Sequence, residues 1–160
     1  MKNITKIMVA TLGVALTAPA AFAVDQDVRF SGLVLDSCAL VIGTNGVLGQ
    51  SIDQTILSSK ETAGLPGTVT VTTNSINSNI EVISPTSFDV GPASADTNTT
   101  FAASYSLAGD TTLSEVTGDS VTPLALGITV ATIDANATKT TGTFDAGLYE
   151  LVTTVRCTSP

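Results

Sequence analysis

Two cysteines, one near each end of the chain, constrain the fold more than any other feature. Cys38 follows an alternating segment at residues 28–35, and Cys157 follows another at residues 148–156. Period-two alternation of apolar and polar residues predicts β-strands. Because the chain has no other cysteine, a disulfide within it must join the first predicted strand to the last. That bond closes a loop of about 120 residues and stabilises the fold by roughly 4–5 kcal/mol.

Residues 1–23 have the features of a secretory signal peptide. Two lysines give a positive start, an apolar run follows, and an Ala-x-Ala cleavage motif ends at Ala23. We therefore predict cleavage before Val24 and a mature chain of residues 24–160 in one domain. The apolar run is too short to span a bilayer, so no membrane insertion is expected after the signal is removed.

The predicted export of the chain favours a disulfide between the two cysteines over a metal site or a catalytic pair. Disulfides persist in oxidising compartments, whereas cysteine pairs in reducing compartments more often bind metals or act in catalysis. We predict an intramolecular Cys38–Cys157 disulfide, with a free pair or an intermolecular bond as the alternatives. The protein is expected to be exported.

The composition favours strands and argues against several classes of partner. Thr, Ser, Val and Ala are abundant, and β-branched residues pack well on a pleated surface. Helix-forming Glu, Lys, Gln and Arg are few. The predicted mature chain keeps four basic residues against fourteen acidic ones, a net charge of −10. Without a basic patch, nucleic acid and anionic membranes are not expected as partners.

Alternating segments separated by polar turns predict an antiparallel sandwich. Further strands are predicted at residues 69–73, 80–83, 101–107 and 124–133, with a last strand from near Leu148. Residues 134–145 are predicted to be a polar loop. The predicted fold class is therefore all-β, a single antiparallel β-sandwich without a second domain.

The chain carries no recognisable catalytic motif. It has no histidine, which removes His-dependent triads and His metal sites. Residues 134–145 place oxygen ligands at positions 1, 3, 5 and 12 of a calcium-type loop, but Lys139 stands where an EF-hand needs glycine. We predict no catalytic residue, no metal and no cofactor. A glycan-active hydrolase using two carboxylates is the remote alternative.

Residues 28–40 resemble the start of chaperone–usher pilins. Those subunits begin, after a signal peptide, with the pattern V-x-F-x-G-x-V-x-x-x-C-x-V. The matching positions in this chain are Val28, Phe30, Gly32, Val34 and Cys38, with Leu40 in place of the last valine. Residues 147–155 also resemble the G-x-Y lead into a pilin's final strand.

The resemblance implies an incomplete immunoglobulin-like sandwich whose last strand comes from another chain. A periplasmic chaperone fills the gap first, and the N-terminal segment of the next subunit then replaces it at an outer-membrane usher. The physical basis is β-augmentation along an open edge. Residues 24–34 would be the donor segment, with Val28, Phe30 and Val34 on one face and Gly32 between the last two. The alternative is that Val28 and Phe30 belong to the domain's own first strand.

From the resemblance we expect this protein to be a structural subunit of a fimbria or a pilus-type fibre. It would reach the cell surface through the periplasm, serve adhesion or surface attachment and polymerise with copies of itself by strand exchange, without enzymatic activity. The alternative is a self-contained secreted or periplasmic immunoglobulin-like binding module that does not polymerise.

The position of the second cysteine departs from the pilin pattern. Typical pilins pair the first cysteine with one in the second strand, and residues 69–73 contain none. In a pilin the first and last strands flank an empty groove about 9–10 Å wide, whereas a disulfide needs Cα atoms within about 7 Å. Either the two cysteines lie where the strands converge at the end of the groove, or the sandwich is closed.

Overall fold

The computed structural model describes residues 26 and 28–159. Residues 28–33 belong to one unit of the chain, and a second unit, Val34–Pro160, contains every strand. The predicted signal peptide and its cleavage site at Ala23 and Val24 lie outside the described residues. Within the described part, no helix is long and apolar enough to cross a membrane.

Ten β-strands make up the regular structure of the described residues. They are β1 (Cys38–Thr44), β2 (Gly49–Gln50), β3 (Ile56–Ser58), β4 (Gly67–Thr73), β5 (Asn79–Ile83), β6 (Thr99–Gly109), β7 (Leu113–Thr117), β8 (Val121–Pro123), β9 (Gly127–Lys139) and β10 (Thr154–Thr158).

The strands form two antiparallel sheets that pack as a sandwich. The larger sheet has the order β1-β4-β9-β3-β2, with β6 on the other side of β9 and β7 beyond β6. The smaller sheet has the order β10-β5-β8. Immunoglobulin-like sandwiches place strands A, B, E and D in one sheet and C and F in the other. Taking β1, β4, β5, β6, β9 and β10 as A to F reproduces that order, and the predicted all-β antiparallel sandwich is confirmed.

The alternating residues of β4 and β9 show why these segments form strands. Val69 and Val71 in β4 are buried, whereas Thr72 between Val71 and the strand's end is exposed. β9 pairs with β4 over seven residues and with β6 over eleven, so it lies at the centre of the larger sheet. Its inward residues include the fully buried Ala131 and Ala137.

The core has two parts. The first lies between the sheets, and its fully buried members include Val71, Ile80, Val82 and Tyr105. The Tyr105 hydroxyl donates to the backbone oxygen of Ser120 at 2.9 Å, so its polar end is satisfied. The second part is aromatic, with ring centroids 5.0–5.8 Å apart in edge-to-face pairs among Phe88, Phe101, Phe144 and Tyr149.

The structure corrects two predicted strands and one predicted loop, and it confirms three other strands. The strand predicted at residues 124–133 begins only at Gly127. Residues 28–37 form no strand, and the first strand begins only at Cys38. Residues 134–139 are not a loop but the second half of β9. The last strand begins at Thr154 rather than near Leu148, because residues 148–153 make only an isolated bridge. The strands predicted at residues 69–73, 80–83 and 101–107 are confirmed.

Candidate functional site

A groove of about 1170 Å³ runs between the edges of the two sheets. One rim is β1 and the chain that follows it, from Leu40 to Leu48. The other rim is the segment that leads into β10, from Asp145 to Val155. Buried apolar side chains that line it between the rims are Leu57, Val69 and Ile133, and the buried Ser59 also lines it. The groove therefore gives access to an apolar surface that is continuous with the core.

Among the described strands, β1, the first rim, is hydrogen-bonded along one edge only, to β4. It pairs with β4 from Cys38 to Thr44, and six of its seven residues are exposed. Leu40 and Ile42 line the groove, and Val41 between them lies on the opposite face because side chains alternate along a strand. The free edge of β1 leaves backbone donors and acceptors without a strand partner.

The second rim also has a free edge. β10 pairs with β5 alone, and among the described residues no strand lies on its other side. Leu151, Val152, Thr153 and Val155 line the groove at its β10 end. Glu150 makes the last backbone bridge before β10, to Val90. Two unpaired edges on either side of an apolar base form a site that a further strand would complete.

The Cys38–Cys157 disulfide is present and lies at one end of the groove. Its two Cα atoms are 6.1 Å apart, which is less than the two strand spacings that a third strand between them requires. The lining residues begin two positions from each cysteine, at Leu40 and Val155. The cysteines therefore lie where the rims converge, and the groove persists beyond them. A disulfide of this kind fits an oxidising compartment.

Two polar side chains that line the groove are Tyr149 and Thr153. The Tyr149 hydroxyl donates to the Asp145 backbone oxygen at 2.8 Å. Burial, with a smaller effect of the Asp145 charge, raises the pKa of Tyr149, so the phenol stays neutral at physiological pH. Among the described residues, the buried hydroxyl oxygen of Thr153 has no hydrogen-bond partner.

A smaller cavity of about 200 Å³ holds a polar cluster at the outer side of the larger sheet. Lys60 forms an ion pair with Glu115 and lies 3.9 Å from a carboxylate oxygen of Asp134. A hydrogen bond from Lys60 lowers the pKa of Glu115, and a hydrogen bond from Ser104 lowers it by a smaller amount. Lys60 and Glu115 are half-exposed, so the ion pair contributes little to stability.

No group of three or more His, Cys, Asp or Glu side chains in the described part of the chain is placed to hold a metal ion. The calcium-type spacing at residues 134–145 instead contains a buried cation, the ammonium of Lys139. It donates to the backbone oxygens of Ser94, Ala95 and Thr97 at 2.7, 3.1 and 2.8 Å and lies 5.0 Å from the centroid of the Phe144 ring. Lys139 therefore has a structural role, because its ammonium holds the turn at residues 94–97.

The predicted donor residues lie in no strand. Val28, Phe30 and Val34 are 74%, 95% and 82% exposed, and a Cβ added at Gly32 would meet nothing within 4 Å. The sequence identified the two cysteines but missed Leu40 and Ile42 as lining residues, although they alternate directly after Cys38.

Comparison of the chain with protein-family models, curated proteins and solved structures found no match.

Proposed function

We propose that this protein is a structural subunit of a fimbria- or pilus-type surface fibre, assembled by donor-strand exchange through its N-terminal segment at residues 24–34. Its role is adhesion or surface attachment. Its partners are further copies of itself, with a periplasmic chaperone and an outer-membrane usher acting during export and assembly. The observation that carries the proposal is the groove between β1 and the segment that leads into β10, because β1 and β10 each have one edge without a partner among the described strands.

The groove has what an added strand requires. A strand inserted between β1 and β10 would hydrogen-bond to a free edge on each side, and its alternate side chains would reach the apolar base at Leu57, Val69 and Ile133. In the immunoglobulin arrangement, strand G pairs with F at this position. Insertion therefore buries apolar surface and satisfies backbone groups in a single step.

The length of the groove matches the proposed donor segment. The rim from Asp145 to Val155 has eleven residues, as many as the proposed donor segment of residues 24–34. Apolar side chains of that segment stand on one face at positions 28, 30 and 34. Their exposure leaves these side chains free to be buried by another copy of the chain. This match supports a second copy as the source of the inserted strand.

The proposal is tested on surface material sheared from cells that co-express the protein with its chaperone and usher. An unboiled, non-reducing SDS gel should show a ladder that collapses to monomer on boiling, because a strand held by backbone bonds and apolar burial dissociates slowly. A single monomer band that migrates faster than its reduced form would instead favour the self-contained binding module.

Two neighbouring substitutions test the donor segment. Phe30→Asp places a charge on the face predicted to enter the groove, whereas Ser31→Asp places the same charge on the opposite face. Phe30→Asp should abolish the ladder, and Ser31→Asp should preserve it. Equal ladders from both variants would reject residues 24–34 as the donor.

A further inference from the structure

The disulfide joins the two strands that form the rims of the groove. Cys38 is the first residue of β1, and Cys157 lies in β10 next to its last residue. β1 is hydrogen-bonded to β4 and β10 to β5, and no backbone ladder joins the two rims within the described residues. The bond is therefore the covalent tie between one rim and the other.

The same bond limits how far a strand can enter. Inserting a strand requires rims about 9.5 Å apart, which is twice the spacing of neighbouring strands. At the disulfide the Cα atoms are 6.1 Å apart. An inserted strand must therefore end before the bonded pair, near Leu40 on one rim and Val155 on the other, where the groove lining begins.

The position of β1 depends on this tie. β1 pairs with β4 alone in the part of the chain that the structure describes, and its groove-side residues Leu40 and Ile42 are exposed. Without the bond, β1 can bury them by moving across the gap toward β10, or it can separate from β10. Either movement lowers the fraction of molecules with an open groove, and the apparent dissociation constant of a groove ligand rises by the inverse of that fraction.

We propose that the Cys38–Cys157 disulfide is a redox-dependent end stop of the groove. It fixes where an inserted strand ends and holds the rims so that the groove accepts a strand only in the oxidised protein. This inference rests on the proposed function. A phosphine reductant opens the bond by supplying two electrons. The two sulfurs take up two protons to become thiols, and the phosphine takes the oxygen of water to become its oxide.

The first test compares strand binding by the oxidised and the reduced groove. The probe is a dye-labelled synthetic peptide of residues 24–35 of this chain. The protein carries Phe30→Asp, so that its own segment does not compete. Binding is measured by fluorescence anisotropy for the oxidised protein, for the phosphine-reduced protein and for Cys38→Ser/Cys157→Ser. Phosphine added to the double variant is the control, and it should change nothing.

Binding to the oxidised protein should be at least about tenfold tighter than binding to the reduced protein or the double variant. Equal affinity in a double variant with native circular dichroism would overturn the end stop and leave the groove proposal standing. Absence of binding by every form would overturn both proposals.

A second measurement needs only the oxidised protein, so it decides the question even where the double variant fails to fold. Hydrogen exchange with the peptide bound should show added protection at residues 40–44 and 151–155. It should show none at residues 36–38 and 157–159. Added protection that reaches past the cysteines would mean that the inserted strand is not stopped by the bond, which overturns the inference.

Discussion

Substitutions at Ile42 and Val41, which are neighbours on β1, distinguish an effect on strand binding from an effect on folding. Ile42 lines the groove, and Val41 lies on the other face of the strand. Both are exposed, at 71% and 64%. Because neither side chain is buried in the single chain, Asp at either position should change the free energy of unfolding by less than about 1 kcal/mol. The two variants are therefore matched in charge, exposure and position.

Their effects on strand binding should differ widely. Fully burying an isoleucine side chain is worth about 1.5–3 kcal/mol, and at 71% exposure about 1–2 kcal/mol of this remains to be gained when a strand covers the groove. Burying an Asp carboxylate in its place costs a further several kcal/mol. Ile42→Asp should weaken binding by at least about 3 kcal/mol, more than 100-fold. Val41→Asp should weaken it by less than about threefold.

The assay is binding of the labelled peptide of residues 24–35 to each variant, with urea unfolding of the same samples as the stability control. Equal losses in two variants of native stability would refute the groove as the binding surface. A large loss of stability in Ile42→Asp alone would show that Ile42 packs within the single chain, contrary to its exposure.

Three further predictions concern stability and are measured by urea unfolding. Cys38→Ser/Cys157→Ser should lower the free energy of unfolding by about 5 kcal/mol, the loop-closure entropy for a sequence separation of 119; a loss below about 1 kcal/mol would contradict this reasoning. Lys139→Met leaves three backbone oxygens without their donor and should lower the free energy of unfolding by about 2–4 kcal/mol. Lys60→Met, at a half-exposed position, should lower it by less than about 1 kcal/mol. Equal losses in the two variants would show that the bonds from Lys139 to these oxygens do not stabilise the fold. Thr153→Val removes a buried hydroxyl without a partner and should raise stability by about 1 kcal/mol, so a loss would show that the hydroxyl is satisfied.

The sequence predicted strands well where apolar and polar residues alternate and the inward residues are large. β4 and β6 were found because Val69, Val71, Tyr105 and Leu107 stand at period two. The second half of β9 was missed because its inward positions hold small alanines and Lys139, while Asp134 and Asn136 look like loop residues. Pairing with β3 and β6 on both sides keeps this segment extended in spite of its composition.

The opposite error occurred at residues 28–35. Their alternation is that of a strand, but no strand in the described part of the chain pairs with them. Alternation shows that a segment can fit a sheet surface and does not identify the partner strand. The same limit explains why Leu148 was predicted to begin the last strand, which begins at Thr154.

By itself, the sequence determined the all-β class, through its alternating β-branched residues, and it limited an intramolecular disulfide to one pairing, because only two cysteines are present. Only the tertiary structure decided that Cys38 and Cys157 lie at the end of a groove and that Leu40 and Ile42 line it. The reason is that strand pairing is long-range: β1 pairs with β4, and β10 pairs with β5 some seventy residues earlier. Local periodicity sets which side chains share a face, but which edges remain unpaired depends on how distant strands assemble.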